Sequence, residues 1–411
     1  MMKNVNAVID ECVRMIQQRF SGSERPDERK ISAALDAMLR ARPDFRYMLV
    51  SERRYIRSEV VNAILYQNVL TGLLRDEAVT EIMVNGPDRI YVERRGRIQR
   101  SGVRFRSRED ATKFAQEIIP GASVSFANPI GNARLPEGYR VNVVLDPVAL
   151  DSPVITIRKF SKKPMSIDML IRYQSINQEV ADKLEKLVRA KYNIFVAGGT
   201  GSGKTTFLNA LSNFIPRTER VITIEDPAEL QLDSVENLVR METRTAGHRE
   251  TAITIQDLIK SSLRMRPDRI VVGEVRGEEA LDMLQAMNTG HEGSMSTGHA
   301  NSCRGMLRRL ESLVLSGEAG GKLPVQVIRT QIAESLDLMI HLGRLRDRSR
   351  RVLEITEILD VEDGEIQLNP IYRFRETGVD ENGRIIGVLE RTENKFQNVE
   401  KLRFAGIEDE I

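Results

Sequence analysis

The feature that most constrains this chain is the run Gly198, Gly199, Thr200, Gly201, Ser202, Gly203, Lys204, Thr205, which satisfies the pattern G-x-x-x-x-G-K-[ST]. It directly follows the apolar segment Asn193-Ile194-Phe195-Val196-Ala197 and opens a helical segment, Thr206-Phe207-Leu208-Asn209-Ala210-Leu211. Strand, glycine-rich loop and helix in that order form the context in which this pattern cradles phosphate. The four glycines let the backbone fold tightly, so that successive N–H groups converge on phosphate oxygens, and the helix N-terminus adds its positive dipole end. Lys204 is expected to neutralise the β- and γ-phosphates of ATP, and the Thr205 hydroxyl to ligate Mg²⁺. Thr206, the next residue of the helix, is counted with the loop as nucleotide-binding.

A loop of this kind needs a parallel sheet covered by helices, and the surrounding sequence supplies one. Val221-Ile222-Thr223-Ile224, Arg269-Ile270-Val271-Val272 and Gly293-Ser294-Met295-Ser296-Thr297 read as further short buried strands between helical stretches. From Arg351 the chain alternates apolar and polar residues, with a turn at Glu362-Asp363-Gly364, and reads as added strands. Two acidic elements follow apolar strands. They are Glu225-Asp226-Pro227-Ala228-Glu229 and Gly273-Glu274-Val275-Arg276-Gly277. In an open α/β sheet ligands bind outside the carboxyl ends of the strands, so Glu225 and Glu274 can hold the Mg²⁺ shell or polarise an attacking water. Glu274 is expected to activate the water and Glu225 to support it, with Lys204 and Arg276 beside them as catalytic candidates. Gly273 stands where an Asp is common at the end of such a strand.

Two of the four histidines, His291 and His299, bracket the segment around Met295. They lack a third ligand set at metal spacing. They serve either structural hydrogen bonds or a sensor that couples the γ-phosphate to the sheet.

The first 70 or so residues are helical. Val5, Ile9, Val13 and Ile16 recur at helical spacing, as do Ile31, Leu35, Met38 and Leu39, and a third run lies near Val60, Ile64, Leu65 and Val69. Near residue 76 the period changes to that of strands, at 80–84 and 89–93, with Asn85-Gly86-Pro87-Asp88 as the turn between them. A helix over 109–119 and strands at 140–145 and 154–158 complete an α+β region. The segments expected are therefore 1–72 helical, 73–165 α+β and 166–411 α/β, with a linker near 160–176.

Composition narrows the partners. Aromatic residues are 5% of the chain and Trp is absent, which leaves few stacking platforms for single-stranded nucleic acid. Net charge is +2, from 61 basic and 59 acidic residues, so no strongly basic surface is implied and no DNA is expected. Cys12 and Cys303 have no CxxC partners, which fits a reducing compartment. There is no signal-like apolar run and no stretch of 18 apolar residues, so a cytoplasmic chain with no membrane span is expected. A RecA-like translocase or helicase remains the alternative, and a small-molecule kinase is weaker for want of an acceptor signature.

Taken together, these motifs resemble the secretion ATPase superfamily of type II and type IV secretion, and within it the CpaF-like tight-adherence pilus ATPases. The resemblance is carried by the loop 198–205, by Thr223 to Glu229, and by Leu263-Arg264-Met265-Arg266-Pro267-Asp268 leading into Val272 to Gly277. Ala286 to His291, His299 to Ser302, Ala133 to Asn142 and Ile155 to Phe160 extend it over roughly residues 70 to 411. In that family the Glu follows Gly, so Gly273 resembles a family feature. Residues 122–132 and 246–251 depart from the pattern.

The resemblance implies an α/β, RecA-like P-loop ATPase domain joined by a flexible linker to an N-terminal α+β domain that covers the nucleotide. It implies a homohexameric ring at the cytoplasmic face of the inner membrane, driving membrane platform proteins of a pilus or secretion system. Arg134, Arg140 and Arg158 lie in the two upstream motifs and are expected to bind nucleotide and stabilise transition-state charge. The cradle is directly testable. Lys204→Ala should abolish ATP hydrolysis and weaken nucleotide binding, as measured by phosphate release and by titration with a fluorescent nucleotide.

Overall fold

The computed structural model describes residues 5–20, 28–42, 48, 50–65, 69–94, 96–105, 107–119, 124–135, 137–159, 165–244 and 251–407. The chain divides into two compact units, 1–161 and 162–411. The helical and α+β segments expected separately share the first unit, each with a core of its own. The loop 21–27 and the residues 160–164 of the expected linker lie outside the described residues.

In the first unit α1 (Val5–Arg19), α2 (Glu28–Ala41) and α3 (Val50–Leu65) bury one stripe each. Ile9, Ile16, Ile31, Leu35, Ile56 and Val60 meet in one cluster, as the three- and four-residue spacing predicts. A short α4 (Thr71–Arg75) leads into β1 (Val79–Asn85), β2 (Ile90–Arg94) and β3 (Arg97–Arg100). Then come α5 (Arg108–Glu117), β4 (Ile130–Arg134), β5 (Arg140–Val144) and β6 (Val154–Arg158). The six strands form an antiparallel sheet in the order β3-β2-β1-β6-β5-β4. Its apolar face, including Ile82, Val84, Val141, Val143, Ile155 and Ile157, packs with Phe114 and Ala115 of α5. Sequence patterning misses β3 and β4. The four residues of β3 are all exposed, and the Ile-Gly-Asn-Ala-Arg of β4 carries one β-branched residue.

The second unit opens with α6 (Ile167–Arg172) and α7 (Gln178–Arg189), followed by β7 (Ile194–Gly198), α8 (Lys204–Ser212), β8 (Arg220–Glu225) and β9 (Asn237–Glu242). Next are α9 (Ile255–Ser262), β10 (Arg269–Val272), α10 (Glu279–Asn288), β11 (Met295–Gly298), α11 (Cys303–Ser316) and α12 (Val325–Ser335). The chain ends through β12 (Leu338–Arg344), β13 (Arg350–Glu362), β14 (Glu365–Val379), β15 (Ile385–Arg391) and α13 (Glu400–Phe404). Six parallel strands stand in the order β12-β7-β11-β10-β8-β9, and β13, β14 and β15 continue the sheet antiparallel beyond β12.

Strand β7 shows why the sheet must be covered on both faces. Ile194 and Val196 enter one hydrophobic core, Phe195 and Ala197 the other, and every residue of the strand is buried. Leu170 and Ile176 belong to the first of these cores, so residues expected in the linker are part of the second unit's packing.

In this unit two further strands escape the sequence patterning. The edge strand β9 is too polar to stand out, and the apolar run of β12 reads equally as helix.

One buried ion pair anchors β10. The Arg269 guanidinium is completely buried. It donates to Glu219 Oε1 at 3.1 Å, to the Val188 carbonyl at 2.7 Å and to the Gly293 carbonyl at 3.3 Å. Removing the carboxylate leaves a buried charge without its counter-ion. Glu219→Ala should therefore destabilise the second unit by about 3 kcal/mol in denaturant unfolding, well beyond the effect of a surface pair.

Candidate nucleotide site

The site lies at the carboxyl ends of the central parallel strands. Strand β7 runs into the loop 199–203, where Gly201 and Gly203 adopt φ of +72° and +96°, a region in which a side chain is strained. Lys204 is the first residue of α8 and is buried. Its Nζ donates to the Gly199 carbonyl at 3.2 Å and lies 3.4 Å from His299 Nδ1.

His299 follows β11, the neighbour of β7. Its Nε2 stands 2.7 Å from Oε1 of Glu274, which follows β10, the next strand across. Arg276 donates to Glu274 Oε2 at 2.8 Å. Three adjacent strand ends thus deliver one continuous array, Lys204–His299–Glu274–Arg276.

The array sets its own protonation. Burial alone would raise the Glu274 pKa, but the hydrogen bond and charge of Arg276, with Lys204 and His299 nearby, hold it below the ordinary value. Burial lowers the Lys204 pKa, partly offset by Glu274. His299 is also lowered, first by burial and then by the Lys204 charge, so the ring is neutral at pH 7. A neutral ring with its proton on Nε2 lets Nδ1 accept from Lys204, while the Nε2 contact with Glu274 Oε1 is one of proximity and not an aligned hydrogen bond, since that oxygen has no hydrogen-bond partner among the described residues.

Glu225 ends β8 but does not join the array. It is 2% exposed, and its Oε2 accepts the backbone N–H groups of Glu229 and Leu230 at 2.6 and 2.8 Å. Its Oε1 is buried without a partner among the described residues, and burial pushes the carboxyl upward. Gly273 is the reason it fits. A Cβ there would stand 3.0 Å from Glu225 Cγ, a tighter contact than side chains ordinarily make, so an Asp at that position would press the glutamate aside slightly.

For Mg²⁺ the available oxygen set is the Thr205 hydroxyl and the Glu274 carboxylate, hard donors of the type that ion takes. Neither residue is fully buried, whereas Glu225 is 2% exposed and its unpartnered Oε1 is sealed from solvent. Thr206, next to Thr205 on α8, is exposed.

His291 is not brought to the cradle. It precedes β11 at its amino-terminal end, and its Nδ1 lies 3.2 Å from the Ala286 carbonyl. His299 follows the carboxyl end of the same strand, so the two histidines sit at opposite ends.

In the first unit, register places Arg134 opposite Arg140, Arg140 opposite Arg158, and Arg158 opposite Glu81. The three arginines form a row across adjacent strands. Burial raises the Glu81 pKa, and Arg158 opposes that rise. Residues 245–250, most of the second departing stretch, lie outside the described residues.

The sequence reading passed over Arg309, Arg344 and Arg350. Arg309 of α11 contributes positive charge at both Lys204 and His299. Arg350 Nε donates to the Gly201 carbonyl at 2.8 Å. The available signal is the basic run Gly343-Arg344-Leu345-Arg346-Asp347-Arg348-Ser349-Arg350-Arg351, of which only Arg351 falls within the segment expected to form added strands.

A doubly covered parallel sheet with this loop, lysine and carboxylate at its carboxyl edge defines a RecA-like P-loop nucleotide-binding fold. The chain belongs to the family of type II/IV secretion system proteins, whose model matches residues 67–401. It is 35% identical to the conjugal transfer protein TrbB of Rhizobium radiobacter over 298 residues, 69% of this chain and 85% of that one. It is 33% identical to the type IV secretion system protein PtlH of Bordetella pertussis over 309 residues, 69% of this chain and 91% of that one. Among solved structures it resembles the ATPase DotB of Legionella pneumophila, with a TM-score of 0.52 and 22% identity over 71% of this chain and 80% of that one. The likeness to DotB concerns the fold. Among the described residues no helix is long and apolar enough to cross a membrane.

The array separates two carboxylates that sequence alone treats as a pair. Glu274→Gln should still bind ATP yet turn over at least ~100-fold more slowly, the scale of a lost acid–base group. Steady-state hydrolysis beside equilibrium binding checks this, and a larger kinetic loss in Glu225→Gln would exchange the two roles.

Proposed function

We propose that this chain is an ATP-hydrolysing motor of a secretion or pilus-assembly system, working as a homohexamer at the cytoplasmic face of the inner membrane. The observation that carries the reading is the array Lys204–His299–Glu274–Arg276 at the mouth of the glycine-rich loop. Family membership and the relatives' names in conjugal transfer and type IV secretion support the same direction. The resemblance of the motifs to CpaF-like ATPases favours the tight-adherence pilus branch, in which the partners are polytopic platform proteins.

The chemistry follows from the charges. Lys204 and the loop N–H groups hold the β- and γ-phosphates, and Glu274 accepts a proton from the water that attacks the γ-phosphorus. The bond from that phosphorus to the bridging oxygen breaks, leaving ADP and phosphate. Arg276 keeps the Glu274 carboxylate ionised and aimed, and His299, between Glu274 and Lys204, reports through Lys204 on whether the phosphate is present. Thr205 and Glu274 would hold Mg²⁺, which would supply charge neutralisation on the phosphate oxygens. In the first unit Arg134, Arg140 and Arg158 stand in a row across adjacent strands, and positive charge of this kind stabilises phosphoryl transfer when it acts as an arginine finger.

A ring-shaped motor makes turnover depend on assembly. Turnover per chain should rise with protein concentration, and Arg140→Ala should lower it without changing the melting temperature. A fully active monomer at nanomolar concentration, shown by sedimentation beside the assay, would refute the ring as catalytic unit.

A further inference from the structure

The turn between β12 and β13 comes to the phosphate loop through the sheet itself. Leu342 of β12 pairs with Gly198, the last residue of β7, and the chain runs on two residues to Arg344. A tight turn follows, closed by Leu345 N–H to the Ser349 carbonyl at 2.8 Å, and Arg350 returns directly opposite Arg344. Two guanidinium groups are thereby set side by side at the loop. The Arg350 Nε holds the Gly201 carbonyl, and Arg344 Nη1 lies 3.9 Å from the point a Cβ on Gly201 would occupy.

Neighbouring basic residues of this turn are occupied elsewhere. Arg346 donates to Glu376 at 2.6 Å, and the buried Arg351 donates to the Tyr173 carbonyl at 2.9 Å. The turn is also tied down, since Asp347 accepts the backbone N–H of Ile385 at 2.8 Å and of Ser349 at 2.9 Å. Arg344 is exposed, and its guanidinium has no hydrogen bond or ion pair among the described residues. Like charges directly opposite across a ladder are destabilising. Their placement against a loop of phosphate-binding N–H groups is explained if an anion sits between them.

We propose that Arg344 contacts the phosphate chain of the bound nucleotide, delivered within the same subunit by the β12–β13 hairpin. The inference rests on the reading of the loop as an ATP site and gives β13, β14 and β15 a purpose, which is to hold that hairpin in place. An arginine suits this role because its planar fork matches phosphate oxygens two at a time.

The test uses the full chain and ATP itself. Arg344→Ala should bind a fluorescent ATP analogue about 10-fold more weakly, the scale of one charge-assisted hydrogen bond. Arg344→Lys should recover only part of that loss, because an ammonium keeps the charge and lacks the fork, and the melting temperature without nucleotide should be unchanged. Wild-type affinity in Arg344→Ala would overturn the assignment, as would a loss of affinity matched by destabilisation of the nucleotide-free protein. If the unaltered chain itself bound no ATP, the functional reading would fall, and this assignment with it.

Discussion

The structure around the glycine-rich loop turns on one constraint, that the Lys204 ammonium is held in a buried place. A lysine removed from water loses hydration that only nearby acceptors and negative charge can replace. The Gly199 carbonyl and the His299 ring supply the acceptors, and Glu274 supplies the charge one residue further out. Glu274 in turn is kept ionised by Arg276, so the charge on the lysine is matched through a relay rather than by direct contact. Such an arrangement leaves Lys204 stabilised yet uncommitted to a carboxylate, and a phosphate can take its place among those partners.

The same reasoning separates the acidic residues by environment. Glu274 and Glu225 end neighbouring strands, and their sequence contexts are alike. One is surrounded by positive charge and stays ionised, the other is sealed against Gly273 with a raised pKa and its oxygen given to backbone N–H groups. Burial and neighbours set the two carboxyl groups apart. The absent Asp at position 273 belongs to the same account, because Glu225 packs tightly against the point where its Cβ would stand.

The C-terminal strands also gain a physical meaning. Buried Glu357 of β13 accepts the backbone N–H groups of Gln397 and Asn398, and Lys401 of α13 pairs with Asp337 at 2.7 Å beside β12. These contacts fasten the end of the chain back to the sheet. The antiparallel extension is therefore stiff, and a hairpin growing from its base holds a set position relative to β7.

Local chemistry was legible in the sequence wherever the cause was local. Glycines at 198–203 before a helix announce a phosphate loop, and apolar runs at 194–197, 221–224 and 269–272 announce buried strands, because backbone sterics and burial act on consecutive residues. The polar edge strand β9, the exposed β3 and the ambiguous run of β12 carried no such signature. What only the tertiary structure decided is which loops meet. The order β12-β7-β11-β10-β8-β9 is not the order of the chain, and it brings His299 and Glu274 to Lys204 while leaving His291 at the far end of β11. Strand order is settled by packing two helical layers onto both faces of one sheet, a long-range balance of buried area that no short stretch of residues records.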